Sequence, residues 1–240
     1  MDSSYAMMMN FGATVYDCSI WLVLLVWVFS WWGSFVDRAA LGEFEVQHYP
    51  VAGVDEVGRG CLFGVVVAAA VILPVDAFNL LRKAGVKDSK SLTAVRRTEL
   101  DRLIRSMAVD CQIGVSTVAE IETLNILGAS LLAMERSIDR LLPQPNHCLI
   151  DGNQKLRFCL IPPLPQTPVV KGDTMSLSIA AASIIAKVWR DRMIVELDRH
   201  YPGYDLASNK GYPTPKHIAG IHSLGLTDQH RRTFRLKSIN

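Results

Sequence analysis

The sequence predicts an α/β domain in which helices flank a mixed β-sheet. Residues 51–57 and 64–73 are apolar runs rich in β-branched residues, joined by a glycine-rich turn, as in neighbouring strands. Two shorter apolar runs, 111–118 and 147–152, follow further along the chain. Strands that come early and alternate with helical stretches indicate an α/β body.

Helical periodicity marks the stretches 88–107, 124–142, 176–201 and 212–225. Thr93 is the predicted N-cap of the first of these helices. In the last one Thr214 caps the helix, Pro215 takes its first position and Gly225 ends it. Between strand and helix, the proline-rich residues 161–168 predict a surface loop.

Charge and apolar residues are unevenly distributed along the 240 residues. The net charge is +2, yet residues 1–45 carry five acids and one arginine, which is −4 and leaves +6 for residues 46–240. A basic body fits a polyanionic partner, and it fits a charge excess that only aids solubility equally well. We therefore treat 1–45 as an N-terminal extension and 46–240 as the folded domain.

Within the extension, residues 18–36 form an apolar segment without a charged side chain, close to the ~20 residues of a membrane-spanning helix. Three interpretations stay open: a membrane anchor, a disordered or peripheral extension, or residues outside the natural product. The acidic or neutral residues before it do not resemble the basic start of a signal peptide. Membrane association is expected only through this segment.

The five cysteines indicate a reducing compartment. Their number is odd and none forms a C-x-x-C pair, so neither a disulfide framework nor a zinc site is predicted. We expect reduced thiols in a cytoplasmic, monomeric protein.

Carboxylates follow three short apolar runs. Asp55 and Glu56 end the first run, Asp151 ends "LIDGN", and Asp173 follows "VVKGD". Acids gathered at one edge of a sheet would repel one another, and a divalent cation such as Mg²⁺ or Mn²⁺ relieves that repulsion. Each acid taken alone could equally be a solvated turn residue. Neighbours on a regular strand point to opposite faces, so Asp55 and Glu56 share a site only where the strand ends or is distorted.

At this point the motifs resemble those of the ribonuclease HII family, the bacterial type 2 ribonucleases H. The resemblance covers about 51–234, with the motifs in family order: "AGVDEVGRG", "KDSKSLTAVRR", "LIDGN", "VVKGDTMSLSIAAASIIAKVWRD", "NKGYPTPKH" and "HRRTF". It implies a ribonuclease H-like mixed sheet flanked by helices, with a helical C-terminal portion that binds substrate. The one departure noted is Cys61, where proline is usual; it is predicted to touch no functional side chain.

The resemblance also implies an activity and a set of site residues. The activity is endonucleolytic cleavage of the RNA strand of RNA·DNA hybrids, and incision 5′ of a single ribonucleotide in duplex DNA, leaving a 5′-phosphate and a 3′-hydroxyl. Asp55, Glu56, Asp151 and Asp173 are the implied catalytic and metal-binding acids, holding two divalent ions. The implied substrate-binding residues are Gly58, Arg59, Gly60, Lys87, Ser89, Lys90, Ser183, Lys187 and Tyr212.

Several of these features also have ordinary structural explanations. The turn 58–60 could be a solvated hairpin turn, and 87–90 an ordinary polar loop. Lys187 could form only a surface pair with Asp191, and Tyr212 could pack under the last helix. Arg231, Arg232, Arg235 and Lys237 are interpreted as a solvated tail, with nucleic-acid contact as the second interpretation. His217, His222 and His230 are interpreted as structural.

Three other functions remain as alternatives. One is another nuclease or a transposase on a similar sheet, against which "NKGYPT" argues. The others are a non-catalytic nucleic-acid-binding protein, against which the four intact acids argue, and a membrane-tethered protein.

Overall fold

The structure, a computed structural model, describes residues 38–157 and 164–234. The apolar segment 18–36 lies outside the described residues. No helix in the described part of the chain is long and apolar enough to cross a membrane.

Five strands form one mixed sheet in the described residues, which confirms the predicted fold class. They are β1 (Val51–Val57), β2 (Val66–Ile72), β3 (Asp110–Ser116), β4 (His147–Asp151) and β5 (Gln166–Val169). Their order across the sheet is β3-β2-β1-β4-β5. The first three strands pair antiparallel, whereas β1, β4 and β5 run parallel to one another. The carboxyl ends of β1 and β4 therefore lie at the same edge.

Eight α-helices and one 3₁₀ turn surround this sheet within the described ranges. The helices are α1 (Arg38–Gln47), α2 (Ala77–Lys83), α3 (Ala94–Met107), α4 (Val118–Asp139), α5 (Gly172–Met175), α6 (Leu177–Asp198), α7 (Leu206–Asn209) and α8 (Pro215–Leu224); the 3₁₀ turn is Ser89–Ser91. Thr93 and Thr214 cap α3 and α8 as predicted, each accepting a bond from the third residue of its helix.

The two faces of the sheet carry separate hydrophobic cores. On β2 the residues Ala69 and Val71 pack in the core that contains α6, while Ala68 and Ala70 pack in the core that contains α4. This alternation follows from the two-residue period of a strand. Ala52 and Val54 of β1 belong to the α4 side. Gly53 and Asp55 consequently face α6.

Gly53 allows α6 to approach β1 closely enough to build a site there. A Cβ atom on Gly53 would lie 2.1 Å from the Ser178 carbonyl carbon and 2.3 Å from the Ile179 nitrogen. Any larger residue would push the helix away from the strand. Two residues further along β1, Asp55 comes within reach of α6 side chains.

Some predicted boundaries differ from the structure. Residues 166–168, the end of the predicted loop 161–168, belong to strand β5, and the pairing that begins at Cys148↔Gln166 explains why they are extended. Helix α4 begins at Val118 rather than at 124, because Thr117 and Glu120 form a capping box. The backbone is non-helical at Asn125, so the predicted helix corresponds to the part of α4 after this kink.

Helix α1 packs against the domain although it falls mostly in the predicted extension. Leu41 is buried, and the buried carboxylate of Glu45 accepts a 2.8 Å hydrogen bond from the Ser176 hydroxyl at the start of α6. The compact unit to which α1 belongs begins at Arg38. We therefore propose that the folded domain begins at Arg38 rather than at residue 46.

Candidate active site

Three carboxylates meet at the edge where β1 and β4 end. Asp55, Glu56 and Asp151 each contribute one oxygen, and these oxygens all lie within 4.8 Å of one another. The parallel pairing of β1 with β4 brings them together, as predicted from the positions of the acids after apolar strands.

Asp55 and Glu56 share this site although β1 has not ended there. The strand continues to Val57, so the first of the two predicted conditions, that the strand has ended, is not met. Pairing with β4 stops at Val54↔Ile150, whereas pairing with β2 continues through Val57↔Val67. Beyond Val54 the β4 side of β1 is open, which gives the longer Glu56 side chain room to reach Asp151.

Asp55 is the most enclosed of the three acids and is held by groups behind it. Its Oδ1 accepts the Glu56 backbone N–H at 2.7 Å, and the Ser183 hydroxyl on α6 is hydrogen-bonded to it. Ser183 in turn lies 2.8 Å from the hydroxyl of Ser89, and both serines are buried. Burial first, then the charges of Glu56 and Asp151, raises the pKa of Asp55 well above its usual value.

Glu56 has a cationic partner at the surface. The Nη1 atom of Arg59 donates to its Oε1 at 3.0 Å. Burial raises the pKa of Glu56, and the charge and hydrogen bond of Arg59 oppose that rise. Asp151 accepts the backbone N–H of Gly172 at 2.7 Å, which joins the end of β4 to the start of α5.

Asp173 lies next to this trio but is not one of the three clustered acids. It belongs to the short helix α5 rather than to a strand end, because Lys171 takes a left-handed conformation and turns the chain after β5. Burial and the charge of Asp151 raise the pKa of Asp173. Lys90 lies 4.0 Å from its Oδ2, and the Asp88 carboxyl is hydrogen-bonded to it.

The turn at 58–60 borders the carboxylates. Gly58 has a φ of +94°, which a glycine adopts freely, while the Arg59 side chain and Gly60 are exposed. The turn closes with a hydrogen bond from the Cys61 N–H to the Gly58 carbonyl at 3.3 Å.

Tyr212 and Lys187 lie next to each other. The Lys187 ammonium is 5.4 Å from the centroid of the Tyr212 ring and donates to Asp191 at 2.8 Å. Burial, together with its hydrogen-bonded neighbour Cys61, raises the pKa of Tyr212 to about 12. The prediction that Cys61 touches no functional side chain is therefore wrong.

The 87–90 segment divides into exposed and buried residues. The side chains of Lys87 and Lys90 are exposed, whereas Ser89 is buried against Ser183. Asp88 caps the 3₁₀ turn by accepting the Lys90 N–H at 2.9 Å. The family motif led to the prediction of Lys87, Ser89 and Lys90 as site residues. Asp88, the acid of the same motif, was omitted.

Two buried arginines lie beneath the turn, and the sequence reasoning did not single out the first of them, Arg190. Arg190 is fully buried, and so is Arg231, which corrects its interpretation as part of a solvated tail. Arg232 is exposed as predicted, while Arg235 and Lys237 lie outside the described residues. His217 and His230 are buried, 3.2 Å apart between their Nε2 atoms, which agrees with a structural role.

The donor set fits a divalent metal centre. Three clustered carboxylates supply hard oxygen ligands of the kind that Mg²⁺ and Mn²⁺ prefer. Burial first, and then the neighbouring carboxylates, raise the pKa values of Asp55 and Glu56, so the charged forms of these two acids are unfavourable in the protein alone. A bound cation would remove that penalty.

Comparisons with known proteins agree with this site. Residues 52–237 match the family model described as Ribonuclease HII. The protein named Ribonuclease HII of Trichodesmium erythraeum is 58% identical over 183 residues, covering 76% of this chain and 85% of that protein. Its counterpart of Synechococcus elongatus is 54% identical over 191 residues, covering 79% of this chain and 86% of that protein. The crystal structure of the ribonuclease H2 from Pyrococcus horikoshii superimposes with a TM-score of 0.66 at 27% identity, covering 77% of this chain and 93% of that one.

Proposed function

The chain belongs to the ribonuclease HII family, and we propose that it incises duplex DNA on the 5′ side of a single embedded ribonucleotide as well as cleaving longer hybrids. Membership itself establishes the coarser activity, an endoribonuclease that uses divalent metal ions on RNA·DNA hybrids. The finer proposal is supported by the position of the turn 58–60 in the chain: it follows Glu56 of the carboxylate trio and leads into Cys61, which neighbours Tyr212.

We propose that the carboxylates form the metal centre. Asp55, Glu56 and Asp151 would hold the ions directly, and Asp173 would complete the site from α5. Two bound divalent ions would activate a water molecule and stabilise the leaving 3′-oxygen, giving a 5′-phosphate and a 3′-hydroxyl. The chain's own part is to fix these oxygens, and the buried pair Ser183 and Ser89 supports Asp55 from behind.

Substrate is proposed to bind over the turn. Main-chain groups of 58–60 would approach the ribose and sense its 2′-hydroxyl, which distinguishes RNA from DNA. Lys87, Lys90 and Lys187 would meet phosphates, while the ring of Tyr212 would stack on the following deoxyribose. Because Ser89 and Ser183 are buried, we propose that they orient Asp55 rather than contact phosphate.

Three matched duplexes test the proposal. The purified protein is incubated with Mg²⁺ or Mn²⁺ and with all-DNA duplex, RNA·DNA hybrid, and DNA containing one ribonucleotide. The expected result is no cleavage of the first, cleavage of the second, and one cut 5′ of the ribonucleotide in the third. A protein that cuts the hybrid but leaves the single-ribonucleotide duplex intact would refute the finer proposal while leaving the coarser activity standing.

A further inference from the structure

Arg190 and Arg231 are buried cations without a carboxylate partner. Arg190 lies on α6 and is 0% exposed, and Arg231 follows α8 and is 2% exposed. Neither takes part in an ion pair within the described residues. Charged side chains are almost never fully buried unless they are paired, so these two require an explanation.

Arg190 joins two segments that lie far apart in sequence. Its Nε donates to the Val65 carbonyl at 3.1 Å and its Nη2 to the Phe63 carbonyl at 3.0 Å. Its Nη1 donates to the Lys210 carbonyl at 2.9 Å, two residues before Tyr212. One guanidinium group therefore connects the β1–β2 link to the loop that carries the tyrosine.

Arg231 binds the same link from a different direction. Its Nε donates to the Gly64 carbonyl at 2.8 Å and its Nη2 to the Val65 carbonyl at 3.1 Å. Its Nη1 donates to the Arg59 carbonyl at 3.1 Å, inside the turn itself. Since Val65 accepts from both arginines, the turn and the tyrosine loop are tied to one shared anchor.

The glycines of both segments lie directly against Arg190. A Cβ atom on Gly58 would be 2.3 Å from the Arg190 Nε, and one on Gly211 would be 3.4 Å from its Nη2. The guanidinium group occupies the space that a side chain on Gly58 would need, whereas a Cβ atom on Gly211 would lie 2.8 Å from the Phe63 carbonyl oxygen that Arg190 binds. Gly58 thus allows Arg190 to pack closely against the turn, in addition to the proposed close approach of the substrate to the turn.

The burial of two like charges is unfavourable in itself. Burial and the neighbouring charge of Arg190 lower the pKa of Arg231 to about 10, although it stays protonated at neutral pH. An apolar pair of side chains would avoid this cost, but it could not satisfy five backbone carbonyls. The planar, multi-donor guanidinium group can do so in one fixed geometry.

We propose that Arg190 and Arg231 are positioning residues that fix the spacing between the turn 58–60 and Tyr212 and thereby set the preference for a single ribonucleotide. This inference rests on the proposed function of these two segments. A lone ribonucleotide offers only one register, in which its ribose must reach the turn while the next sugar reaches Tyr212. A long hybrid offers a ribose in every register, so its cleavage depends less on this spacing.

The test compares Arg190→Lys and Arg231→Lys with the wild type on both substrates. Lysine keeps the charge but cannot bridge several carbonyls in one plane. We expect kcat/KM on the single-ribonucleotide duplex to fall about tenfold or more, because small misplacements are costly in oriented reactions. On the long hybrid it should fall by less than about threefold, so the ratio of the two changes. Ile138→Val, in the core on the α4 side, is the matched control: it lowers stability and should leave the ratio unchanged.

The outcomes are separable. A wild type that ignores the single-ribonucleotide duplex refutes the proposed function and, with it, the role of the arginines in cleavage at a single ribonucleotide; whether the arginines hold the two segments is then decided by Nε–H exchange alone. Folded lysine variants that slow both substrates by the same factor refute the positioning role alone. If Arg190→Lys does not fold, Arg231→Lys keeps all three Arg190 bonds and carries the same comparison.

An independent measurement on the wild type needs no variant. Nε–H exchange by NMR should be at least about 100-fold slower at Arg190 and Arg231 than at the exposed Arg59, because buried, bonded donors exchange only when the structure opens. Exchange as fast as that of Arg59 would show that the two arginines do not hold these carbonyls and would overturn the inference.

Discussion

The protein buries two clusters of like charges, the arginine pair and the carboxylate trio, and only the arginine pair has all of its charge satisfied by hydrogen bonds within the chain. Arg190 and Arg231 direct six hydrogen bonds at backbone carbonyls. The carboxylates of Asp55, Glu56 and Asp151 accept four bonds, from the Glu56 N–H, Ser183, Arg59 and the Gly172 N–H. Three carboxylates offer about twelve acceptor sites, so most of these sites accept no hydrogen bond from the protein and are available to a ligand.

The difference separates charge that builds the fold from charge that awaits a ligand. The arginines are complete without any added group, so their role is to hold backbone in place. Burial first, and then repulsion from Glu56 and Asp151, raises the pKa of Asp55, and the protein tolerates this cost at the edge of its sheet. Such an arrangement favours a divalent cation, which offsets the repulsion that the fold maintains.

The largest effect should come from removing a carboxylate. We expect Asp55→Asn to reduce cleavage of a hybrid by about 100-fold or more, by analogy with the loss of one key electrostatic group elsewhere. Substrate binding should be largely retained, because affinity comes mainly from phosphate contacts. Cleavage rates and a binding titration measure the two separately. The exposed acid Asp139, at the end of α4, supplies the control Asp139→Asn.

Asp55→Asn should also change the thermal stability of the metal-free protein. Asp55→Asn removes one of three repelling charges, so the metal-free protein should melt a few degrees higher than the wild type, roughly 2–4 °C. Retention of even a tenth of the activity, or a clear loss of metal-free stability, would argue against an unsatisfied carboxylate centre.

A smaller effect is expected at the loop that Arg190 holds. Tyr212→Ala should slow incision at a single ribonucleotide by about 10- to 100-fold, on the scale of base–aromatic stacking, roughly 1–3 kcal/mol. Tyr212→Phe loses its hydrogen bond to Cys61 but keeps the ring, so it should retain most activity. Kinetics on the single-ribonucleotide duplex distinguish the cases, and equal losses in both variants would assign the role to the hydroxyl group.

The sequence reveals the carboxylates more readily than the arginines, for a physical reason. Asp55, Glu56 and Asp151 stand out because acids are unfavourable at the end of apolar strands, and parallel pairing then brings strand ends together. Asp173 follows an equally apolar run, but the left-handed Lys171 turns the chain into α5. Arg190 binds carbonyls that lie 20 to 127 positions away, and backbone acceptors leave no trace in the residue pattern. The helical spacing that marks Ser183 and Lys187 as one face shows nothing of what Arg190 meets below.

The pH dependence of stability should differ with and without metal. The raised pKa values of Asp55, Glu56 and Asp173 mean that the folded state holds more protons than the unfolded state above about pH 4. The contribution of these three carboxyls to the stability of the metal-free protein is therefore fully present below their unfolded pKa values and is lost as pH rises through the folded ones. At pH 8, Mg²⁺ or Mn²⁺ at 100 times its dissociation constant should add about 2.7 kcal/mol. At pH 4.5 the gain should be much smaller, since protonated carboxyls bind metal poorly. Thermal melts at both pH values measure this, and an equal gain at both would contradict it.

The smallest effect concerns Glu45, a buried acid that is satisfied as the arginines are. Its carboxylate is bonded to Ser176 and Ser178 at the start of α6, and burial raises its pKa. Glu45→Gln keeps the size of the side chain and can still accept a bond, so we expect a loss of only about 1 kcal/mol of stability. Hybrid cleavage and its metal dependence should stay unchanged, in contrast to Asp55→Asn.

Two shortened chains extend the test of helix α1. A chain that begins at Arg38 should be as stable as the full chain, whereas one that begins at His48 lacks Leu41 and Glu45 and should lose about 2–4 kcal/mol of stability. If Glu45→Gln reduced cleavage as strongly as Asp55→Asn while the protein stayed folded, the division between satisfied and unsatisfied buried charge would fail at this residue.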